Sequence, residues 1–199
     1  MARPTYREIC ATIEECGWAV QALFLPEAAI AALRDEAIER DAAGEFHAAG
    51  VGRAAGRIRR TDIRGDRTRW LDENEPCAAA APLWEALGDL RAALNESLFL
   101  GLDSFEGHYA IYPPGAVYRR HRDRFRDDDA RVISIVLYLN HDWSAQDGGA
   151  LRLQLDQGPH DVLPIGGTLV IFLAERFEHE VLPAARDRLA VAGWFRRRV

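Results

Sequence analysis

The sequence predicts an α+β protein: a double-stranded β-helix (jelly roll) with N-terminal helices packed on one of its sheets. Three observations predict it. Helical periodicity is confined to the first hundred residues, where Ile30, Leu33 and Ala37, then Leu83, Leu87, Leu90 and Leu94, recur at three- and four-residue steps. From residue 104 onward, short β-prone segments alternate with turns at Pro113-Pro114-Gly115, Asp147-Gly148-Gly149, Gly158-Pro159 and Gly166-Gly167. Within that half, residues 131–140 split into an aliphatic face (Ile133, Ile135, Leu137, Leu139) and a mixed one (Val132, Ser134, Val136, Tyr138), as a strand between a helical layer and a cavity would.

In chain order, residues 5–16 make a short amphipathic helix ended by Gly17, and 18–24 a strand. Pro26 suits a first helical residue, and 27–42 continue the helix to a stop at Gly44. Residues 45–77 are polar and rich in glycine and arginine; a strand around 57–64 and a mobile loop are expected there. Residues 82–99 form another helix. The expected strands are then 105–112, 117–122, 131–140, 149–154, 160–163, 168–173, 178–182 and 187–196, a spacing that suits a sandwich or open barrel.

A length of 199 residues points to a single domain, long enough to bury about 70% of its unfolded surface. With 48% hydrophobic and 28% charged residues the profile is that of an ordinary globular chain, not a disordered one. Three cysteines (Cys10, Cys16, Cys77) give neither a disulfide framework nor a zinc pattern, so a reducing cytoplasm is expected. No signal-peptide pattern and no apolar run of about 18 residues occurs, so no membrane partner is expected. All 25 basic residues are arginine, yet the net charge is −6, which argues against a nucleic-acid partner.

The chemistry concentrates in four residues. His121 and Asp123 stand two apart, the spacing that turns both side chains of a strand the same way. A distant histidine, His179, completes a two-His-one-carboxylate face that leaves metal positions open, as in non-heme Fe(II) oxygenases. Arg188 shares a strand face with Ala190, Ala192 and Trp194; the alanines leave volume for the guanidinium. A buried arginine without an anion is costly, and its planar fork matches a carboxylate. His108 shares a face with Ala110 and Tyr112 but is assigned to the core, and His47, His141 and His160 to the surface.

Longer stretches carry a resemblance. They are Tyr112-Pro113-Pro114-Gly115, Tyr118-Arg119-Arg120-His121-Arg122-Asp123, Val136-Leu137-Tyr138-Leu139-Asn140, Asp142-Trp143, Gly148-Gly149-Ala150-Leu151-Arg152, His179-Glu180-Val181, Arg188 and Gly193-Trp194-Phe195. Upstream stand Ile63-Arg64-Gly65-Asp66 and Trp70. The region resembles the Fe(II)- and 2-oxoglutarate-dependent prolyl 4-hydroxylases, in the branch of the hypoxia-sensing enzymes and their bacterial relatives. The resemblance implies Fe(II) on His121, Asp123 and His179, and 2-oxoglutarate anchored by Arg188 and Tyr138. Tyr112 would stand near the cosubstrate, with Leu151 and Trp194 as apolar walls. O2 is the second cosubstrate and ascorbate a candidate reductant. Arg64, Asp66, Trp70 and Arg131 would face the substrate, under a 57–76 loop that closes over a peptide.

Residues 1–100 then read as helical support and substrate loop, and 101–199 as the catalytic core. The implied reaction is trans-4-hydroxylation of a prolyl residue in a cytoplasmic protein, with a translation elongation GTPase as a candidate target and a monomer as the default state. An aspartate ligand speaks for hydroxylation, because a halogenase would vacate that position for chloride. Two alternatives stand beside it: a hydroxylase of free proline or another small molecule, and a non-catalytic jelly-roll module that binds metal or peptide.

Overall fold

The computed structural model describes residues 6–50, 63–75, 77–123 and 130–198. Helix α1 (Tyr6–Cys16) leads into strand β1 (Trp18–Gln21), which ends where Leu23 takes a left-handed backbone at φ 55. Helix α2 (Glu27–Ala42) starts one residue after Pro26, which caps it. Strands β2 (His47–Ala48) and β3 (Arg67–Trp70) precede helix α3 (Ala81–Leu98). The β-rich half comprises β4 (Leu102–Tyr112), β5 (Tyr118–His121), β6 (Arg131–Tyr138), β7 (Leu151–Leu155), β8 (Gly158–Val162), β9 (Leu169–Leu173), β10 (His179–Val181) and β11 (Arg188–Arg197).

Among the described residues these strands form two antiparallel sheets, one ordered β1-β9-β6-β11-β4-β3-β2 and the other β5-β10-β7-β8. Apart from β2-β3-β4 and the β7-β8 hairpin, neighbours in each sheet are non-consecutive strands, the crossover topology of a jelly roll. The larger sheet is covered by the helices. Ile133, Ile135, Leu137 and Leu139 of the β6 segment join Leu33, Leu83, Leu87, Leu90 and Leu94 in one apolar core. Its other face meets the smaller sheet through Tyr112, Tyr138, Leu151, Leu153, Val170 and Phe172. The side-chain alternation of β4, β6 and β11 therefore separates a helix-facing core from an inter-sheet space.

Two expectations are corrected. Val132, expected on the cavity face, packs with the helix-side core. A β-bulge is the reason: Phe195 pairs with Ile133, but the next residue, Arg196, pairs with Arg131. The extra residue reverses the alternation and turns Arg131 into the cavity, where it would otherwise share the face of Ile133. Second, the strand expected around 57–64 lies mostly outside the described residues, while β2 and β3 were not anticipated. Arg67-Thr68-Arg69-Trp70 has no apolar alternation because its arginines serve ion pairs. Arg67 bonds Asp41 at 2.6 Å, and Arg69 bonds Glu45 and Glu75, both at 2.7 Å. No helix among the described residues is long and apolar enough to cross a membrane.

Candidate active site

A cavity of about 570 Å³ opens between the sheets. His121 ends β5 and pairs directly across the smaller sheet with His179 of β10, which brings the two rings to 4.2 Å. Asp123 follows two residues past His121. One donor atom from each of the three lies within 4.8 Å of the others. His121 Nε2 is 3.5 Å from Asp123 Oδ1, and His179 Nε2 is 3.6 Å from Asp123 Oδ2.

The surrounding groups aim these donors. His121 Nδ1 stands 2.7 Å from the Arg119 carbonyl and His179 Nδ1 3.4 Å from that of Phe177. A carbonyl only accepts, so each Nδ1 carries the proton and each Nε2 turns its lone pair inward. Ser134 Oγ donates to Asp123 Oδ2 at 2.7 Å. Tyr118 stacks on His121 at 3.6 Å, and Phe172 meets His179 edge-on at 4.8 Å. Burial opposes the charge on Asp123, yet the two imidazoles outweigh it and hold the carboxyl well below its ordinary range. The Trp194 indole N–H adds to that pull without closing a well-formed hydrogen bond. Burial lowers His179 to about 4, more than Asp123 raises it, so the imidazole is neutral at physiological pH.

Arg188 lies on β11 facing the same cavity and is 1% exposed. Its Nε donates to the Gly149 carbonyl at 2.8 Å. That approach needs the double glycine: a Cβ on Gly149, whose φ is 71, would stand 3.3 Å from Arg188 Cδ and 3.0 Å from Ala184 Cβ. No carboxylate among the described residues pairs with Arg188, and its Nη2 has no acceptor. The Tyr138 hydroxyl, equally buried, also lacks a partner. The Arg188 guanidinium lies 5.0 Å from the Tyr138 ring and 5.2 Å from that of Tyr112. Burial pushes both tyrosine hydroxyls up, so they stay protonated and able to donate.

The chain sits among known proteins accordingly. A family model described as the 2OG-Fe(II) oxygenase superfamily matches residues 107–196. Human Egl nine homolog 1 is 34% identical over 144 residues, 67% of this chain and 33% of that protein. The Caenorhabditis elegans hypoxia-inducible factor prolyl hydroxylase is 33% identical over the same length, which is 20% of that protein. The chain thus spans a third of the human relative and a fifth of the nematode one. A Pseudomonas putida prolyl-4-hydroxylase structure is 47% identical at a TM-score of 0.89, covering 98% of this chain and 100% of that one. The chain belongs to the prolyl hydroxylase family of 2OG-Fe(II) oxygenases. A prolyl hydroxylase from Trichoplax adhaerens, solved with a hypoxia inducible factor oxygen degradation domain peptide fragment, is 26% identical at a TM-score of 0.87. That match covers 96% of this chain and 88% of the other.

The donor groups fit what this prolyl hydroxylase family holds. Two imidazoles and a carboxylate suit Fe(II), and the unpartnered Nη2 of the Arg188 cation with the Tyr138 hydroxyl suits the far carboxylate of 2-oxoglutarate. Leu151 and Trp194 line the cavity. Arg64, Trp70 and Arg131 line it too, whereas Asp66 lies behind the wall, its side chain fully buried, and takes both Arg64 hydrogen bonds at 2.7 and 2.9 Å. Burial disfavours the Arg64 cation, but Asp66 outweighs it and raises the guanidinium further. The cavity also contains a residue assigned to the core: His108 lines it, with Nε2 3.2 Å from Arg64 Nη2. The signal was its shared face with Ala110 and Tyr112. What hid its role was that Arg64 and Trp70, whose rings and charge surround it, come from a segment without readable periodicity.

Proposed function

We propose that the protein is an Fe(II)- and 2-oxoglutarate-dependent dioxygenase that hydroxylates a prolyl residue of a protein, by trans-4-hydroxylation. The observation that carries this reading is the buried guanidinium of Arg188, which has no anionic partner among the described residues and opens into the same cavity as His121, Asp123 and His179. A metal- or peptide-binding module without redox chemistry has no use for that cation. The three donor residues would hold Fe(II) from one side; Arg188 and Tyr138 would hold the cosubstrate's distal carboxylate, and Tyr112 would pack beside it. Bound iron and 2-oxoglutarate supply oxidative decarboxylation with O2, placing one oxygen atom in a substrate C–H bond and the other in succinate. Leu151 and Trp194 keep this volume dry, which strengthens charge interactions and protects reactive species from water.

A peptide substrate, rather than free proline, is supported by the likeness to a protein solved with a peptide fragment and by a cavity of about 570 Å³ whose lining extends to Arg64, Trp70 and Arg131. Residues 57–62 and 76 of the loop expected to close over the peptide fall outside the described residues. A cytoplasmic location is in keeping with three free cysteines, and a translation GTPase is the first target to test. Succinate release with Fe(II), 2-oxoglutarate and candidate substrates is the decisive assay. Stimulation by a proline-containing protein and a gain of one oxygen on proline are expected; stimulation by free proline alone would replace this reading with the small-molecule one.

A further inference from the structure

We infer that the outer wall of the cavity carries a second anion subsite, built from Arg196 and Arg131, that selects a peptide with an acidic side chain about two residues from the modified proline. This rests on the protein-substrate reading above.

Charge arithmetic at the wall is the first ground. Arg131 Nε donates to Glu106 Oε1 at 2.8 Å and Arg196 Nη1 to Glu106 Oε2 at 3.2 Å, so two guanidiniums share one carboxylate and both its oxygens. By contrast Arg64, Arg67 and Arg152 each have a carboxylate for a full fork, Asp66, Asp41 and Asp161 respectively. Among the described residues one positive charge is left over here, in a chain whose net charge is −6. Guanidiniums do not deprotonate, so the surplus persists at any working pH. Arg196 Nε is buried with no acceptor. Arg131 lies 3.6 Å over the Trp194 ring, which holds its plane against the wall. Arg131, Arg196, Glu106 and Trp194 all line the cavity that contains the metal-binding face.

Register is the second ground. Ser134, which bonds Asp123, pairs with Trp194, so Trp194 marks the level of that carboxylate. Arg196 stands two residues further along the same face of β11, a rise of about 7 Å. An extended peptide covers that distance in about two residues. The cavity face of β11 thus carries one guanidinium at each end: Arg188 inside, where a diacid's tail fits, and Arg196 outside, where a substrate side chain fits. A carboxylate would complete the fork that Glu106 fills only in part. An amide satisfies it less well, and a lysine is repelled.

The test uses binding, separate from turnover. Fluorescently labelled proline-centred peptides carry Asp, Asn or Lys two residues before or after the proline, and anisotropy is measured with the full chain, Mn(II) and 2-oxoglutarate. In one of the two positions the Asp peptide is expected to bind about tenfold tighter than its Asn isostere, a ratio that shrinks with added salt. Arg196→Gln should collapse the ratio toward one, while Glu106→Gln, which releases both guanidiniums, should increase it. Opposite responses of the two variants cannot come from a damaged fold. Equal binding of Asp and Asn peptides, or a ratio untouched by Arg196→Gln, removes the subsite and leaves the hydroxylase reading standing. Failure of every peptide, with free proline supporting succinate release, removes the protein-substrate reading and the subsite with it.

Discussion

Few residues in the molecule are as costly as Arg188. A desolvated guanidinium without a counter-ion is a large penalty, and a diacid whose carboxylate meets Arg188 and Tyr138 would offset it. Arg188→Ala should therefore raise the 2-oxoglutarate requirement about 10²–10³-fold, read from succinate release against cosubstrate concentration; an unchanged saturation curve would end the anchoring role. Asp123→Ala should abolish Mn(II) binding by calorimetry along with turnover, and hydroxylation that survives would refute the proposed ligand set. His179 adds a pH signature in the metal-free protein. Its folded-state pKa of about 4 lies below the ordinary 6.5, so between those values the unfolded chain binds a proton that the native one refuses. Stability should decline as pH falls from about 6.5 toward 4, then level off with respect to this group. Urea midpoints across that range check it, and His179→Gln should flatten that part of the profile.

At the scale of elements, position depends on how strands are tied down. Asn140 follows β6; its Oδ1 accepts from the Leu189 N–H and its Nδ2 donates to the Pro164 carbonyl, both at 2.7 Å. It thereby fixes the start of β11 one residue after Arg188. Asn140→Ala leaves two buried groups unsatisfied and should cost about 2–4 kcal/mol, seen as a lower urea midpoint at unchanged slope. The helices and most strands were legible because each buries one face in an apolar layer, so period 3.6 or 2 is written in their residue types. Strand β3 was illegible for the opposite reason. Its arginines are chosen by Asp41 on α2, Glu45 just after α2 and Glu75 beyond β3, and no periodic pattern in β3 itself announces those partners. The bulge at Arg131 and Val132 was equally hidden, since nothing in Arg131-Val132-Ile133 announces an unpaired residue.

For the whole molecule, the cavity joins two sheets and should report its ligands through global stability. Mn(II) and then 2-oxoglutarate, each at about 100 times its Kd, should each add about 2.7 kcal/mol, a rise of roughly 5–10 °C in melting temperature apiece for a chain of this size. Arg188→Ala should keep the metal's share of that rise and lose the cosubstrate's. An equal rise in wild type and variant would place 2-oxoglutarate elsewhere.

The sequence by itself determined the fold class, the order of most elements and the candidate metal-binding and carboxylate-binding residues, because burial and metal chemistry restrict residue types strongly at short spacing. Only the tertiary structure decided that His108 enters the cavity, that Asp66 stands behind its wall, that Arg131 turns inward and that Arg196 shares Glu106 with it. Those facts depend on register, a bulge and the pairing of charges from distant segments. They follow from which strands lie side by side, and no local pattern of residues encodes that adjacency.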